Sequence, residues 1–214
     1  MVEAPTMLLA TSNPGKVREV QAILRGLPVG LTTLADHVDL PPPIEDAATF
    51  EGNARLKALY YARSTRCLTL ADDSGLEVDA LNGQPGVRSS RYAGPQCDPA
   101  ANNAKLIREL AGVPPERRTA RFCCVMAVAT PKEVVATASG SVSGVIIDEA
   151  RGTNGFGYDP LFFVPEVGLT TAEMAPEQKN RISHRGRALA AIWPDIVRLL
   201  NCRTGRCGQS ARRP

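Results

Sequence analysis

Histidine is nearly missing from this chain: His37 and His184 are the only two in 214 residues. A zinc site built on imidazole ligands is therefore excluded as a working idea. No apolar run approaches the roughly 18–20 residues that a membrane-spanning helix needs. The first residues, Met1-Val2-Glu3-Ala4-Pro5, lack the basic segment followed by an apolar one that marks a secretory signal. Charge is also nearly balanced, with a formal net value of +3. Much of that excess sits late in the chain, at Arg198, Arg203, Arg206, Arg212 and Arg213. Neither a nucleic-acid partner nor a membrane is expected, and the cytoplasm is the expected compartment.

Six cysteines are present, but their spacing does not make a metal or disulfide framework. Cys123 and Cys124 are adjacent in an apolar run, so a strand would send them to opposite faces. Cys202 and Cys207 lie in a Gly/Arg-rich tail. Free, mostly buried thiols fit this pattern. The length suits one domain over residues 1–200, in two lobes, with residues 201–214 expected as a disordered tail. No internal repeat and no linker divides it.

The most informative stretch is Ala71-Asp72-Asp73-Ser74-Gly75. The apolar run Cys67–Ala71 leads into it and reads as a short buried strand. Burying an ionised carboxylate costs several kcal/mol without compensation. Two of them at a strand end call for a hard metal ion or for Lys and Arg from elsewhere. Gly75 is expected to turn the chain sharply and leave the acids at the rim. A plain turn with solvated acids is the competing reading.

Other stretches take their place around this one. Thr6–Thr11 reads as a buried strand that meets Ser12-Asn13-Pro14-Gly15-Lys16, and Val17, Val20, Leu24 and Leu27 follow at helical spacing. A strand, a small polar loop and a helix start with a lysine can hold an anion. An ordinary capped turn is the alternative. The loop is not a Walker A motif, because Ala10 and Val17 stand where that motif needs glycine and Ser or Thr. Pro41-Pro42-Pro43 makes a stiff segment that presents Ile44-Glu45-Asp46. Thr49 is placed to cap a helix with Phe50, Ala54, Ala58 and Tyr61 on one face. Asn53 and Lys57 share another face, either solvated or aimed at a phosphate.

Asn82-Gly83 signals a turn, and a helix is expected over residues 99–110 with Ala101, Ala104, Ile107 and Leu110 inward. Residues 120–130 and 134–146 read as hairpin partners, the second with a Thr/Ser face. Gly155-Phe156-Gly157-Tyr158-Asp159-Pro160 places three glycines with Gly152 around one ring, suggesting close backbone approach to a ligand. The G-x-x-G-x-G spacing is not the dinucleotide fingerprint. A last helix is expected over residues 179–200, kinked or split by Pro194, with Ser183-His184-Arg185 in its first turns.

In their order and spacing, five motifs resemble the inosine triphosphate pyrophosphatase, or Ham1-like, family. They are Thr11–Lys16, Thr49–Lys57, Ala71–Leu76, Gly155–Pro160 and Ile182–Gly186, and they cover roughly residues 6–200. The resemblance implies an α/β fold with a long mixed central sheet, flanking helices and two lobes around a cleft. It implies a homodimer that hydrolyses ITP, dITP and XTP to the monophosphate and pyrophosphate. It also implies Mg²⁺ as cofactor, with Mn²⁺ able to substitute. Carried onto this chain, it makes Asp73 the catalytic base and Glu45, Asp73 and Asp72 the metal carboxylates, with Asp46 a substitute for Glu45. The triphosphate falls to Thr11, Ser12, Asn13, Pro14, Gly15, Lys16, Asn53, Lys57 and Ser74. The purine falls to Phe156, Gly157, Tyr158, Asp159, Lys179, His184 and Arg185. Gly52 departs from the family, where many members carry Glu. The alternatives are a Maf-type pyrophosphatase of other modified nucleotides and a nucleotide-binding regulator without chemistry.

Overall fold

The computed structural model describes residues 6–26, 29–37 and 40–203. Leu27 and Cys207 lie outside these residues. One mixed sheet of seven strands forms the frame, in the order β2-β1-β3-β4-β5-β6-β7. The strands are β1 (Thr6–Leu9), β2 (Gly30–Thr33), β3 (Leu68–Val78), β4 (Thr119–Ala129), β5 (Val134–Ile146), β6 (Phe162–Val164) and β7 (Leu169–Thr170). β1 runs parallel to β2 and β3, whereas β3 through β7 are antiparallel neighbours.

The long strands β3, β4 and β5 carry separate cores at their two ends. At one end α1 (Pro14–Ile23) and α5 (His184–Arg203) cover a face rich in Met7, Leu70, Met126, Leu189 and Ile192. On the opposite face α2 (Phe50–Thr65) packs through Ala54, Ala58 and Tyr61 against Leu8 and Ala71. At the other end α3 (Pro99–Glu109) joins Leu76, Phe122, Ile146 and Phe162. The Thr/Ser face of β5 behaves as its alternation requires, with Ser139, Ser141 and Ser143 exposed. Cys124 is buried and Cys123 half-buried, on opposite faces of β4 as strand geometry demands. Among the described residues no helix is long and apolar enough to cross a membrane.

The structure corrects the expected turn at Gly75. β3 does not stop at Asp72 but runs unbroken to Val78, with Gly75 opposite Cys123 on β4. Successive strand residues therefore send Asp72 to the α1/α5 face and Asp73 to the α2 face. Gly75 is needed for close approach instead. A Cβ there would lie 2.3 Å from Ser89 Oγ and 2.5 Å from the Gly86 carbonyl oxygen. Ser89 belongs to the short 3₁₀ turn Gly86–Arg91, and its hydroxyl accepts from the Leu76 N–H at 2.9 Å. Gly75→Ala is expected to lower stability by about 1–3 kcal/mol through this overlap. Urea unfolding checks it, and an unchanged midpoint would show that the 3₁₀ turn simply moves aside.

Two helices also differ from expectation. In α3 Asn102 and Leu106 are the buried residues; Ile107, and Leu110 just after the helix, pack on the core as expected, while Ala104 is exposed. Asn102 sets this rotation, because its amide accepts from Ala93 N–H at 2.7 Å and donates to the Ser90 carbonyl at 2.9 Å. The last helix is divided at Ser183 and not at Pro194. α4 (Pro176–Ile182) ends there, and Ser183 Oγ accepts from Gly186 N–H at 3.0 Å, capping α5. Pro194 lies inside α5, with Leu189, Ile192 and Ile196 buried on either side of it. α5 continues to Arg203, so the tail expected from residue 201 begins as helix, and residues 204–214 lie outside the described residues.

Candidate active site

A cleft of about 560 Å³ opens between the two ends of the sheet. It gathers the turn before α1, the strap after the three prolines, the middle of β3, the Phe156 loop and the start of α5. Most of the residues singled out in the sequence line it. Asp72 and Asn53 do not; they stand behind its wall.

The turn before α1 is built by Asn13. Its side-chain oxygen accepts from Gly15 N–H at 2.8 Å and Lys16 N–H at 3.3 Å, while its own N–H goes to Thr11 Oγ1 at 3.2 Å. Pro14 has no N–H to offer. The N–H groups of residues 13, 15 and 16 are thus satisfied from within the turn, and positive charge for an anion here comes from Lys16. Thr11, Ser12 and Lys16 line the cleft.

Asp72 is 2% exposed and faces a cation pair. Lys16 Nζ lies 2.9 Å and Arg185 Nη2 3.2 Å from its Oδ2, and Ser74 Oγ donates to the same oxygen at 3.2 Å. Despite burial, Lys16 and Arg185 hold its carboxyl far below the usual range. Here the structure corrects the sequence reading: Asp72 is an internal counter-ion and does not join Glu45 and Asp73.

Asp73 lies on the opposite face. Its Oδ1 accepts from Lys57 Nζ at 3.1 Å and its Oδ2 from Asn53 Nδ2 at 3.1 Å. Lys57 Nζ also bonds Glu45 Oε2 at 2.8 Å. Burial pushes the Asp73 pKa up, against the pull of Lys57. The ammonium of Lys57 is held charged by Asp73, Asp72 and Glu45 in spite of its own burial. Asn53 does not point at the cleft as the helix pattern allowed. It is 1% exposed and bonds Asp73 and the strap backbone.

These residues fit a hard divalent cation. Glu45 Oε2 and Asp73 Oδ1 already converge on one positive charge, the Lys57 ammonium, at the cleft wall. Both are oxygen donors, the type that Mg²⁺ prefers. Among the described residues no group of three His, Cys, Asp or Glu gathers to hold a metal alone. The set suits an ion that takes its other ligands from water and phosphate.

At the other end of the cleft the Phe156 ring lies on Gly15, where a Cβ would come within 2.4 Å of it. Lys179 Nζ sits 5.2 Å from the ring centroid. Asp159 ties this loop together: Oδ2 accepts from Phe156 N–H at 2.8 Å and from Lys179 Nζ at 2.5 Å, and Oδ1 from Thr171 at 2.8 Å. Tyr158 donates its hydroxyl to the Ser89 carbonyl at 2.8 Å, and Asn103 holds the Gly157 carbonyl at 3.1 Å. His184 stacks on Phe122, with ring centroids 5.0 Å apart. Burial, aided by Arg185 and Lys179, drives its pKa well below the ordinary value, so the imidazole is neutral. Its Nδ1 has no hydrogen-bond partner.

Arg185 is 1% exposed, and its terminal nitrogens are already engaged. Nη1 pairs with Glu19, and Nη2 with Asp72 and Ser74 Oγ. Nε alone is without a partner. Glu19, which also binds Lys179 at 2.7 Å, is absent from the sequence-derived set. Its signal was there: it lies three residues after Lys16, on the same face of α1. Phe122 and Ser89 gave no such signal, since each reads as an ordinary strand or loop residue.

The comparisons with known proteins agree with this geometry. Residues 7–194 match the model of the Ham1 family. The chain belongs to the Ham1 family. A dITP/XTP pyrophosphatase of Geobacter sulfurreducens is 55% identical over 186 residues, covering 87% of this chain and 94% of that protein. Among solved structures, a HAM1 protein from Coxiella burnetii superposes with a TM-score of 0.81 at 38% identity, over 91% of this chain and 99% of that one. A nucleoside-triphosphatase, dITP/XTP pyrophosphatase, from Mycobacterium abscessus gives a TM-score of 0.71 at 43% identity, over 88% and 99%. The long mixed sheet with flanking helices, expected from the Ham1-like motifs, is thus borne out.

Proposed function

We propose that this Ham1-family protein is a nucleoside-triphosphate pyrophosphatase that clears non-standard purine nucleotides. Its substrates are ITP, dITP and XTP, and its products the monophosphate and pyrophosphate. The relatives named dITP/XTP pyrophosphatase support this reading. The observation that carries it is the convergence of Glu45 and Asp73 on one cation, in the same cleft as Lys16 and the Phe156 loop. A protein that only bound nucleotide would gain little from two carboxylates facing the phosphates.

Glu45 and Asp73 would hold Mg²⁺, or Mn²⁺ in its place. When bound, the ion supplies positive charge to phosphate oxygens and lowers the pKa of water. The Asp73 carboxylate would orient the attacking water and take its proton as the water oxygen bonds the α-phosphorus. The bond from that phosphorus to the bridging oxygen breaks, and pyrophosphate leaves. Lys16 and Lys57 stabilise the charge that gathers on the leaving group. Phe156 stacks on the purine, and Thr11, Ser12 and Ser74 contact phosphate or ribose. The base edge falls to neutral His184, whose Nδ1 lacks a partner, and to the one unpaired nitrogen of Arg185. Tyr158, Asp159 and Lys179 hold the loop that frames it. The protein acts as a cytoplasmic homodimer on a small-molecule substrate.

Pyrophosphate release with Mg²⁺ across ITP, XTP, ATP, GTP, CTP and UTP tests this. ITP and XTP should be turned over far faster than the rest, EDTA should abolish the reaction, and Zn²⁺ alone should not restore it. Tight binding without release would mark a regulator. A preference for pyrimidines would point to Maf-type chemistry.

A further inference from the structure

Residues 40–47, which carry Glu45, form neither helix nor strand. The place of this strap therefore depends on a few side-chain bonds. Tyr60 donates to the Pro41 carbonyl at 2.9 Å, and Arg91 to the Glu45 carbonyl at 3.3 Å. Asn53 holds the strap from both sides of one residue. Its Oδ1 accepts from Ala47 N–H at 3.0 Å, and its Nδ2 donates to the Ala47 carbonyl at 3.4 Å. The same Nδ2 donates to Asp73 Oδ2 at 3.1 Å.

We propose that Asn53 is a positioning residue that sets the distance and orientation between the two metal-binding carboxylates, Glu45 and Asp73. The proposal rests on the reading of those two acids given above. Lys57 also bridges them, but it binds the oxygens that a metal ion requires. Asn53 binds atoms that the ion does not need: the strap backbone and the rear oxygen of Asp73. Its amide is fixed in one sense. Because Oδ1 takes the Ala47 N–H, both hydrogens of Nδ2 are directed at the two acceptors. Asp73 Oδ2 is thereby tied back, and Oδ1 is left facing Glu45. An aspartate at 53 has nearly the same shape and keeps the bond from Ala47 N–H, but it sets a carboxylate against two acceptors.

The test uses Mn²⁺ binding to the full-length protein, followed by electron paramagnetic resonance with a non-hydrolysable imido analogue of ITP. Asn53→Asp and Asn53→Ala should each weaken Mn²⁺ binding roughly 10–100-fold, the range for residues that orient metal ligands. The metal concentration for half-maximal activity should rise in step, while KM for ITP at saturating metal stays near the parent value. Excess Mn²⁺ should recover much of the lost turnover. Folded variants with parental Mn²⁺ affinity overturn the proposal. So does a rise confined to KM, which would make Asn53 a nucleotide contact, and so does failure of both variants to fold. Glu45→Gln separates the two levels. If it leaves Mn²⁺ binding unchanged, the metal reading itself falls, whereas weakened binding there with parental Asn53 variants rejects only the role of Asn53.

Discussion

Asp73→Asn is expected to lower turnover by about 100-fold or more, the scale of a lost general base, in a protein that remains folded. Asparagine keeps the shape but has neither the charge nor the basicity. Its amide must also choose between two donors, Asn53 Nδ2 and Lys57 Nζ, which both point at this side chain. Turned to accept from one, it offers an N–H to the other, a mismatch of about 1–3 kcal/mol. Lys57 keeps its bond to Glu45 at 2.8 Å, so the strap is not released. Steady-state pyrophosphate release, with circular dichroism as the check on folding, measures the effect. Turnover close to the parent's would remove Asp73 from the chemistry and leave it as a partner for Lys57.

Arg185→Met is expected to act first on stability. Asp72 and Glu19 both depend on this guanidinium, which is itself fully enclosed. Breaking a buried ion pair from one side costs about 3–5 kcal/mol, because a charge stays behind without its partner. For a domain of this size that lowers Tm by roughly 6–20 °C. Methionine fills much of the same volume, so the loss reports charge and hydrogen bonding more than a cavity. Lys16 still faces Asp72 and Lys179 still faces Glu19, which keeps the loss toward the lower end. Adding Asp72→Asn should recover part of it, since the double variant no longer buries a carboxylate that has lost one of its two cations. A Tm equal to the parent's in Arg185→Met would show that Lys16 alone neutralises Asp72. Any change in the preference for ITP over ATP must then be read from the folded fraction only.

Much of the site was legible from residue types and order. Asn13 before Pro14, a lysine in the first turn, Thr49 as a cap and the Phe156 loop all report local conformations that a few neighbouring residues dictate. Asp72-Asp73 marked itself as a place where burial had to be compensated. What compensates each acid was not legible, because it depends on which face of β3 each occupies. The expected turn at Gly75 hid that question. Once the strand continues through, its period of two gives Asp72 to Lys16 and Arg185, and Asp73 to Asn53 and Lys57.

The sequence by itself determined the five motifs, the mixed fold that their resemblance implies and most of the charged groups that share one cleft. Periodicity, caps and prolines act within a few residues, and motif order is a property of the chain. Tertiary structure alone decided the division of labour among those groups. Glu19 meets Arg185 across 166 positions, and Lys57 meets Asp73 across 16. It also decided that Gly75 clears space for Ser89 and that Asn53 faces a backbone strap. Each of these depends on two segments packing together, and in a dense interior the outcome is set by volume and by unpaired polar atoms, neither of which a local pattern records.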